Sequence, residues 1–197
     1  MGEIFAYPIE DRLYINLTNR CPNRCVFCIR NNKEGVGYDL WLDREPSVEE
    51  VLAAAGDVAA YREVVFCGYG EPLLRWEVVV GVARALKKRY DVPIRINTNG
   101  LAEAVLGRPI LPHLAGLVDV ISISLNAADA AMYDRLCRSQ LGPEAYPALL
   151  RFIRDSKLYV PRVIVSVVAI PDFDPEPARE LARELGVELR IRPYQTE

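Results

Sequence analysis

The chain has 197 residues, 51% of them apolar, with 24 Lys and Arg against 27 Asp and Glu for a formal charge of −3. That length suits a single α/β domain over 1–197, and the apolar share is enough for a large core. A pI near 5.4 without a long basic run argues against holding duplex DNA or a whole tRNA by its phosphates, so no extended nucleic-acid surface is expected. Residues 1–7 lack the basic segment and apolar run of a signal peptide. No apolar run approaches the about 20 residues of a membrane helix. A cytoplasmic location with no membrane contact is therefore expected.

A strand-then-helix rhythm runs through the sequence. Strands are predicted at 13–18, 63–67, 94–99, 118–126, 162–169 and 187–194. Helices are predicted between them at 47–60, 75–90, 101–115, 129–138 with 144–157, and 175–185. Ser47 followed by Glu50 reads as a capping box. Asp174-Pro175 reads as a helix start and Gly186 as its C′ stop. Alternating units of this length imply parallel strands joined by right-handed crossovers. Six such units make a partial (β/α)6 barrel with the helices outside. Within the strands, Leu13, Ile15 and Leu17 alternate with Tyr14, Asn16 and Thr18. Ile94 and Ile96 alternate with Arg95, Asn97 and Asn99, Ile121 and Ile123 with Ser122, Ser124 and Asn126, and Leu189 and Ile191 with Arg190, Arg192 and Tyr194. The apolar faces suit a helix layer, so the polar faces are expected to line the lumen. Buried polar faces are costly as mere core and sensible for a site that grips polar ligands.

Five cysteines, three of them in the loop after strand 13–18, do not form a disulfide framework. The thiolates of Cys21, Cys25 and Cys28 suit a metal or an iron–sulfur cluster. A closed zinc site wants a fourth ligand, and no His or further Cys follows at a plausible spacing. Three cysteines on a four-iron cluster would leave one iron open to a small molecule. Cys67 and Cys137 read as small buried hydrophobes, with Cys67 the more notable for preceding Gly68-Tyr69-Gly70-Glu71-Pro72. His113, the only histidine, sits between a helix and a strand and reads as structural, which argues against a Ser-His-Asp hydrolase.

The C-x3-C-x2-C spacing, with Phe27 before the last Cys and a first strand before the loop, resembles the cluster loop of the radical S-adenosyl-L-methionine (SAM) superfamily. The resemblance implies a 4Fe-4S cluster on Cys21, Cys25 and Cys28, with SAM on the open iron. It implies that Phe27 contacts the SAM adenine through its backbone and shields the cluster with its ring. Gly68, Tyr69, Gly70 and Glu71 resemble part of the GGEP motif, whose backbone receives the SAM amino group. Tyr69 departs from that motif where its first Gly would stand, which affects the local backbone shape. Ser122, Ser124 and Asn126 resemble positions that bind the SAM ribose and carboxylate. Asn97 and Asn99 are suited to cofactor or substrate, although Asn99-Gly100 also reads as a turn.

Asn16, Arg192 and Tyr194 are the candidates for gripping substrate. Arg30-Asn31-Asn32 reads equally as a cover over the site or as a solvated loop. The resemblance also implies reductive cleavage of SAM, a 5′-deoxyadenosyl radical, and an electron donor such as flavodoxin or ferredoxin. The stretches 13–21, 28–31 and 66–72 look like the TatD-associated radical SAM family, some of whose members are similar to queuine lyase. That similarity implies a small-molecule substrate, queuine, from which a deazaguanine precursor is regenerated. A glycyl-radical activating enzyme and a non-catalytic iron–sulfur electron-transfer module are the alternatives. An open barrel without a covering domain leaves room for a second subunit, as in a homodimer.

Overall fold

Alternation of apolar and polar residues builds a sheet whose strands stand in the order in which they are made. The computed structural model describes residues 3–31 and 36–194. Its strands are β1 (Ala6–Ile9), β2 (Arg12–Ile15), β3 (Glu63–Phe66), β4 (Ile94–Thr98), β5 (Val120–Ser124), β6 (Arg162–Ala169) and β7 (Glu188–Pro193). They lie side by side as β1-β2-β3-β4-β5-β6-β7. From β2 onward every pairing is parallel. All six chain ends that matter for binding therefore gather at one end of the sheet. The helices are α1 (Val48–Ala55), α2 (Trp76–Lys87), α3 (Ala102–Leu106), α4 (Ala130–Cys137), α5 (Ala145–Ser156) and α6 (Glu176–Leu185). The parallel strands and their helices form the expected partial (β/α)6 barrel. No helix among the described residues is long and apolar enough to cross a membrane.

Two departures from the sequence reading have local causes. Strand β1 was not expected; it pairs antiparallel with β2, Tyr7 opposite Tyr14 and Pro8 opposite Leu13. It lies at the sheet edge, where Pro8 has no ladder donor to lose, and Glu10 turns the chain with φ 52°. The helix expected over 101–115 breaks in two. Gly107 takes a left-handed C-cap at φ 64°, and Pro109 and Pro112 cannot continue a helix. A 3-10 turn, Leu111–Leu114, follows instead. The cap signals read correctly: Ser47 and Glu50 exchange both capping-box bonds, Asp174 Oδ1 accepts from Glu176 N–H at 3.0 Å, and Gly186 closes α6 at φ 64°.

The core lies between strands and helices. Leu13, Ile15, Val64, Phe66, Ile94, Ile96, Ile121, Ile123 and Val165 pack with helix residues such as Val51, Val79, Leu86, Leu149 and Ile153 in one apolar cluster. Successive strand residues face opposite sides. The paired registers align Tyr14, Val65, Arg95, Val120 and Arg162 across the other face, and then Asn97 with Ser122 and Ile164. That inner face is polar apart from a few aliphatics such as Val65 and Ile164.

Candidate functional site

The cysteine loop leaves β2 at the carboxyl end of the barrel and is clamped onto the end of α4. Arg24 N–H donates to Cys137 O at 2.9 Å and Val26 N–H to Leu136 O at 2.9 Å, while Gln140 N–H donates to Pro22 O at 2.8 Å. The final turn of a helix has carbonyls without intrahelical partners, and here the loop supplies the donors. Asn23 Nδ2 donates to Tyr133 Oη at 3.1 Å. From the other side the Arg30 guanidinium donates to Asn19 O at 3.2 Å and Asn23 O at 3.4 Å. Arg30 thus fastens the loop and stacks over Trp41 at 5.9 Å. Asn31 Nδ2 reaches Cys25 O at 3.5 Å; Asn32 lies outside the described residues.

The thiols fit a cluster. Burial pushes the Cys21 thiol up to about 11. The Cys25 thiol donates to Cys137, which together with burial pushes it up as well. Such groups stay protonated until a cation binds and displaces the protons. Among the described residues no three His, Cys, Asp or Glu side chains converge closely enough to hold a single metal ion. An iron–sulfur cluster takes one thiolate per iron and does not require that convergence. Asn99 adds a polar neighbour, its Nδ2 donating to Cys21 Sγ at 3.5 Å. The same side chain closes the turn, with Oδ1 accepting from Leu101 N–H at 2.9 Å. The turn expected at Asn99-Gly100 is thus present.

Gly68 to Pro72 leaves β3 and interlocks with the end of β2. A Cβ on Gly70 would stand 2.3 Å from Thr18 O and 2.6 Å from Arg20 O; one on Gly68 would stand 2.1 Å from Asn16 Oδ1. Neither glycine has a positive φ, so close packing within the protein, not unusual dihedrals, demands them. Glu71 N–H donates to Arg20 O at 2.8 Å. Its carboxylate, 2% exposed, accepts from Leu73 N–H (3.0 Å), Thr98 Oγ1 (2.7 Å) and Asn99 N–H (2.7 Å). Burial pushes this carboxyl up to about 7 despite those donors. Glu71 thereby joins the cysteine loop to the Asn99 turn. Tyr69 packs on Tyr7 and Leu40, with its ring edge-on to Trp41 at 5.2 Å.

The remaining candidates divide. Asn97 Oδ1, Asn126 Oδ1 and Arg192 Nε are buried without a hydrogen-bond partner. Asn97 stands beside the Cys67 thiol, which burial pushes up and Asn97, Arg192 and Arg95 pull down. Burial lowers the Arg192 guanidinium. Asn126 adopts φ 61° and its Nδ2 donates to Cys137 Sγ at 3.4 Å. Ser122 is buried and Ser124 half-buried on β5, and Tyr194 lies exposed beyond β7. Phe27 packs against the main core. Asn16 is fully buried, and its Nδ2 donates to Ile4 O (3.1 Å) and Leu40 O (2.8 Å). It holds the wall of the site together. His113 stacks on Trp76 at 4.6 Å, in keeping with a structural role. Cys137, Tyr133 and Trp41 escaped the sequence reading as neighbours of the loop. The four-residue spacing of Tyr133 and Cys137, which puts both on one helix face, was the available signal.

Comparison with known proteins agrees with this geometry. The family model of the radical SAM superfamily matches residues 15–185. GTP 3′,8-cyclase of Lactiplantibacillus plantarum is 33% identical over 164 residues, 82% of this chain and 46% of the relative. A probable dual-specificity RNA methyltransferase RlmN of Acaryochloris marina is 29% identical over 166 residues, 80% of this chain and 44% of the relative. The chain therefore spans about half the length of the curated relatives it matches. Among solved structures, Streptococcus suis SuiB bound to the precursor peptide SuiA superposes with a TM-score of 0.68 at 16% identity, over 94% of this chain and 39% of that one. Methylornithine synthase (PylB) gives 0.61 at 16%, over 93% and 53%. That superfamily uses a 4Fe-4S cluster and SAM, and a match over most of the chain, joined to three clamped cysteines at the carboxyl end of a partial barrel, makes this protein a member of the radical SAM superfamily.

Proposed function

We propose that the protein is a radical SAM enzyme whose substrate is a small guanine-like base, with queuine the specific candidate and a lyase reaction the outcome. When bound, the cluster and SAM supply reductive cleavage to a 5′-deoxyadenosyl radical that removes a hydrogen atom from substrate. Cys21, Cys25 and Cys28 would hold the cluster, and the clamps from α4 and Arg30 fix their loop. The Gly68–Glu71 loop, with Asn99, Ser122, Ser124 and Asn126, would hold SAM beside it. Asn97 and Arg192 would orient the substrate beside SAM.

The observation that carries this reading is the set of buried, unpartnered polar atoms Asn97 Oδ1, Asn126 Oδ1 and Arg192 Nε. Buried polar groups are nearly always satisfied, and these three lie on or just past the carboxyl ends of β4, β5 and β7, where barrel sites gather. An amide oxygen and a guanidinium complement the donor and acceptor edge of a guanine-type base. The relatives named for GTP cyclisation favour that class of base, and the likeness of 13–21 and 66–72 to the TatD-associated family favours queuine. The test is an anaerobic assay of the cluster-reconstituted protein with SAM, dithionite and queuine. Mass spectrometry should find 5′-deoxyadenosine and a new deazaguanine base together, and Cys25→Ala should yield neither. Deoxyadenosine with unchanged queuine would discard the substrate; intact SAM on iron-loaded protein would discard the enzyme.

A further inference from the structure

The amino ends of the parallel strands line an open-mouthed cavity of 790 Å³, at the end of the barrel away from the cysteine loop. Its wall carries five arginines, Arg12, Arg62, Arg95, Arg162 and Arg190, and two carboxylates, Glu63 and Glu188. Arg162 and Glu188 close on each other through two hydrogen bonds of 2.8 and 2.7 Å. Glu10 and Asp11 hold Arg12, and Asp11 stands 3.9 Å from Arg62. Glu63 is shared, lying 3.3 Å from Arg12 Nε and 3.0 Å from Arg95 Nη2. Five guanidiniums thus meet four carboxylates, Glu10, Asp11, Glu63 and Glu188, which leaves Arg190 without one. Arg95, with a side chain only 9% exposed, keeps a buried Nε with no partner. Arg190 forms no ion pair among the described residues.

Of these pairs only Arg95–Glu63 is largely buried, and a pair serving only to plug the barrel would do as well replaced by apolar side chains, since buried ion pairs seldom stabilise more than hydrophobic replacements. We propose that this cavity binds a phosphate-bearing small molecule through Arg95 and Arg190. Guanidinium forks match phosphate oxygens two at a time. A phosphate presents several oxygens, enough to meet the Arg190 fork and the unpartnered Arg95 Nε together. The volume falls within the range of small-molecule sites, about 300–1,000 Å³. The site stands apart from the cysteine loop and does not depend on the cluster.

Calorimetric titration of the cluster-reconstituted protein with inorganic pyrophosphate and with ribose 5-phosphate tests the proposal, with the melting temperature followed in parallel. One-to-one binding that weakens with added salt is expected. Tighter binding of pyrophosphate would identify a free anion as the ligand, and tighter binding of ribose 5-phosphate a phosphate ester. Arg190→Ala, on an exposed side chain, should weaken binding at least about tenfold, the loss of a charge-assisted pair, with part restored in Arg190→Lys. Arg95→Met should weaken it further if that variant folds. Cys25→Ala should bind as wild type does, which separates this site from the cluster. Absence of binding by both probes, or wild-type affinity in Arg190→Ala and Arg190→Glu, would overturn the proposal.

Discussion

Gly70→Ala inserts one methyl group where two backbones already touch. The new Cβ would meet Thr18 O at 2.3 Å and Arg20 O at 2.6 Å. Ordinary contact begins near 3.5 Å, so the loops must separate by about 1 Å. Neither obstacle is a flexible side chain that could swing aside. Overpacking of this kind costs about 1–3 kcal/mol. Separation also strains the Glu71 N–H to Arg20 O bond, worth about 1 kcal/mol. A loss of about 2–4 kcal/mol follows. With a urea m-value of about 2 kcal/mol/M, the unfolding midpoint should fall by about 1–2 M. Because Arg20 leads directly into Cys21, iron retained per chain after reconstitution should fall as well. Gly68→Ala is the internal comparison, since its clash is with the Asn16 side chain. Adding Asn16→Ala should relieve Gly68→Ala, giving a favourable coupling in the double-mutant cycle. It should do nothing for Gly70→Ala. A Gly70→Ala protein that unfolds at the wild-type midpoint with full iron would refute the interlocked-loop reasoning.

Two further outcomes concern residues that join the loops. Glu71 has its carboxyl raised from the ordinary 4.5 to about 7 by burial; the native state thus binds its proton more tightly than the unfolded chain does. Its contribution is fully present below pH 4.5 and is lost as pH rises through 7. At about 1.36 kcal/mol per pH unit, cluster-free wild type should lose about 3 kcal/mol relative to Glu71→Gln between those limits, as read from urea midpoints. Parallel pH curves for the two proteins would contradict this. Asn99→Ala removes the donor to Cys21 Sγ while leaving the three thiols in place, so iron content should hold. Hydrogen bonds to cluster sulfur raise the reduction potential. Electrochemistry of the variant should show a lower potential, and an unchanged potential would show that the contact does not survive cluster binding.

Much of the scaffold and the cysteine loop was legible along the chain, because those features are encoded locally. Strand alternation depends on residues two apart, capping on residues three apart, and the three thiols on residues within one loop. Strand β1 was hidden because four residues containing Pro8 carry little strand signal, and only pairing with β2 makes them one. The split of helix 101–115 was written in Gly107, Pro109 and Pro112, but its apolar residues masked the break.

Other features belong to the tertiary structure alone. In the sequence pattern Asn16 falls on the polar side of strand 13–18 as Asn97 does of strand 94–99, and nothing in the pattern distinguishes them. Both keep a buried Oδ1 without a partner, but packing decides that the Asn16 amide nitrogen secures two backbone carbonyls while Asn97 stands beside the Cys67 thiol. Cys137 lies 112 positions after Cys25 in the sequence, and only the docking of the loop on α4 makes them neighbours. The arginines at the foot of the barrel are scattered from position 12 to 190, so no basic run betrays them. Local periodicity determined that this chain forms parallel α/β units, and the spacing of Cys21, Cys25 and Cys28 carried the resemblance to a cluster loop, since those are short-range properties. Which polar groups are spent on holding the barrel and which remain free to bind was decided by how loops, strands and helices pack together, since satisfaction of a buried group depends on partners that lie far away in sequence.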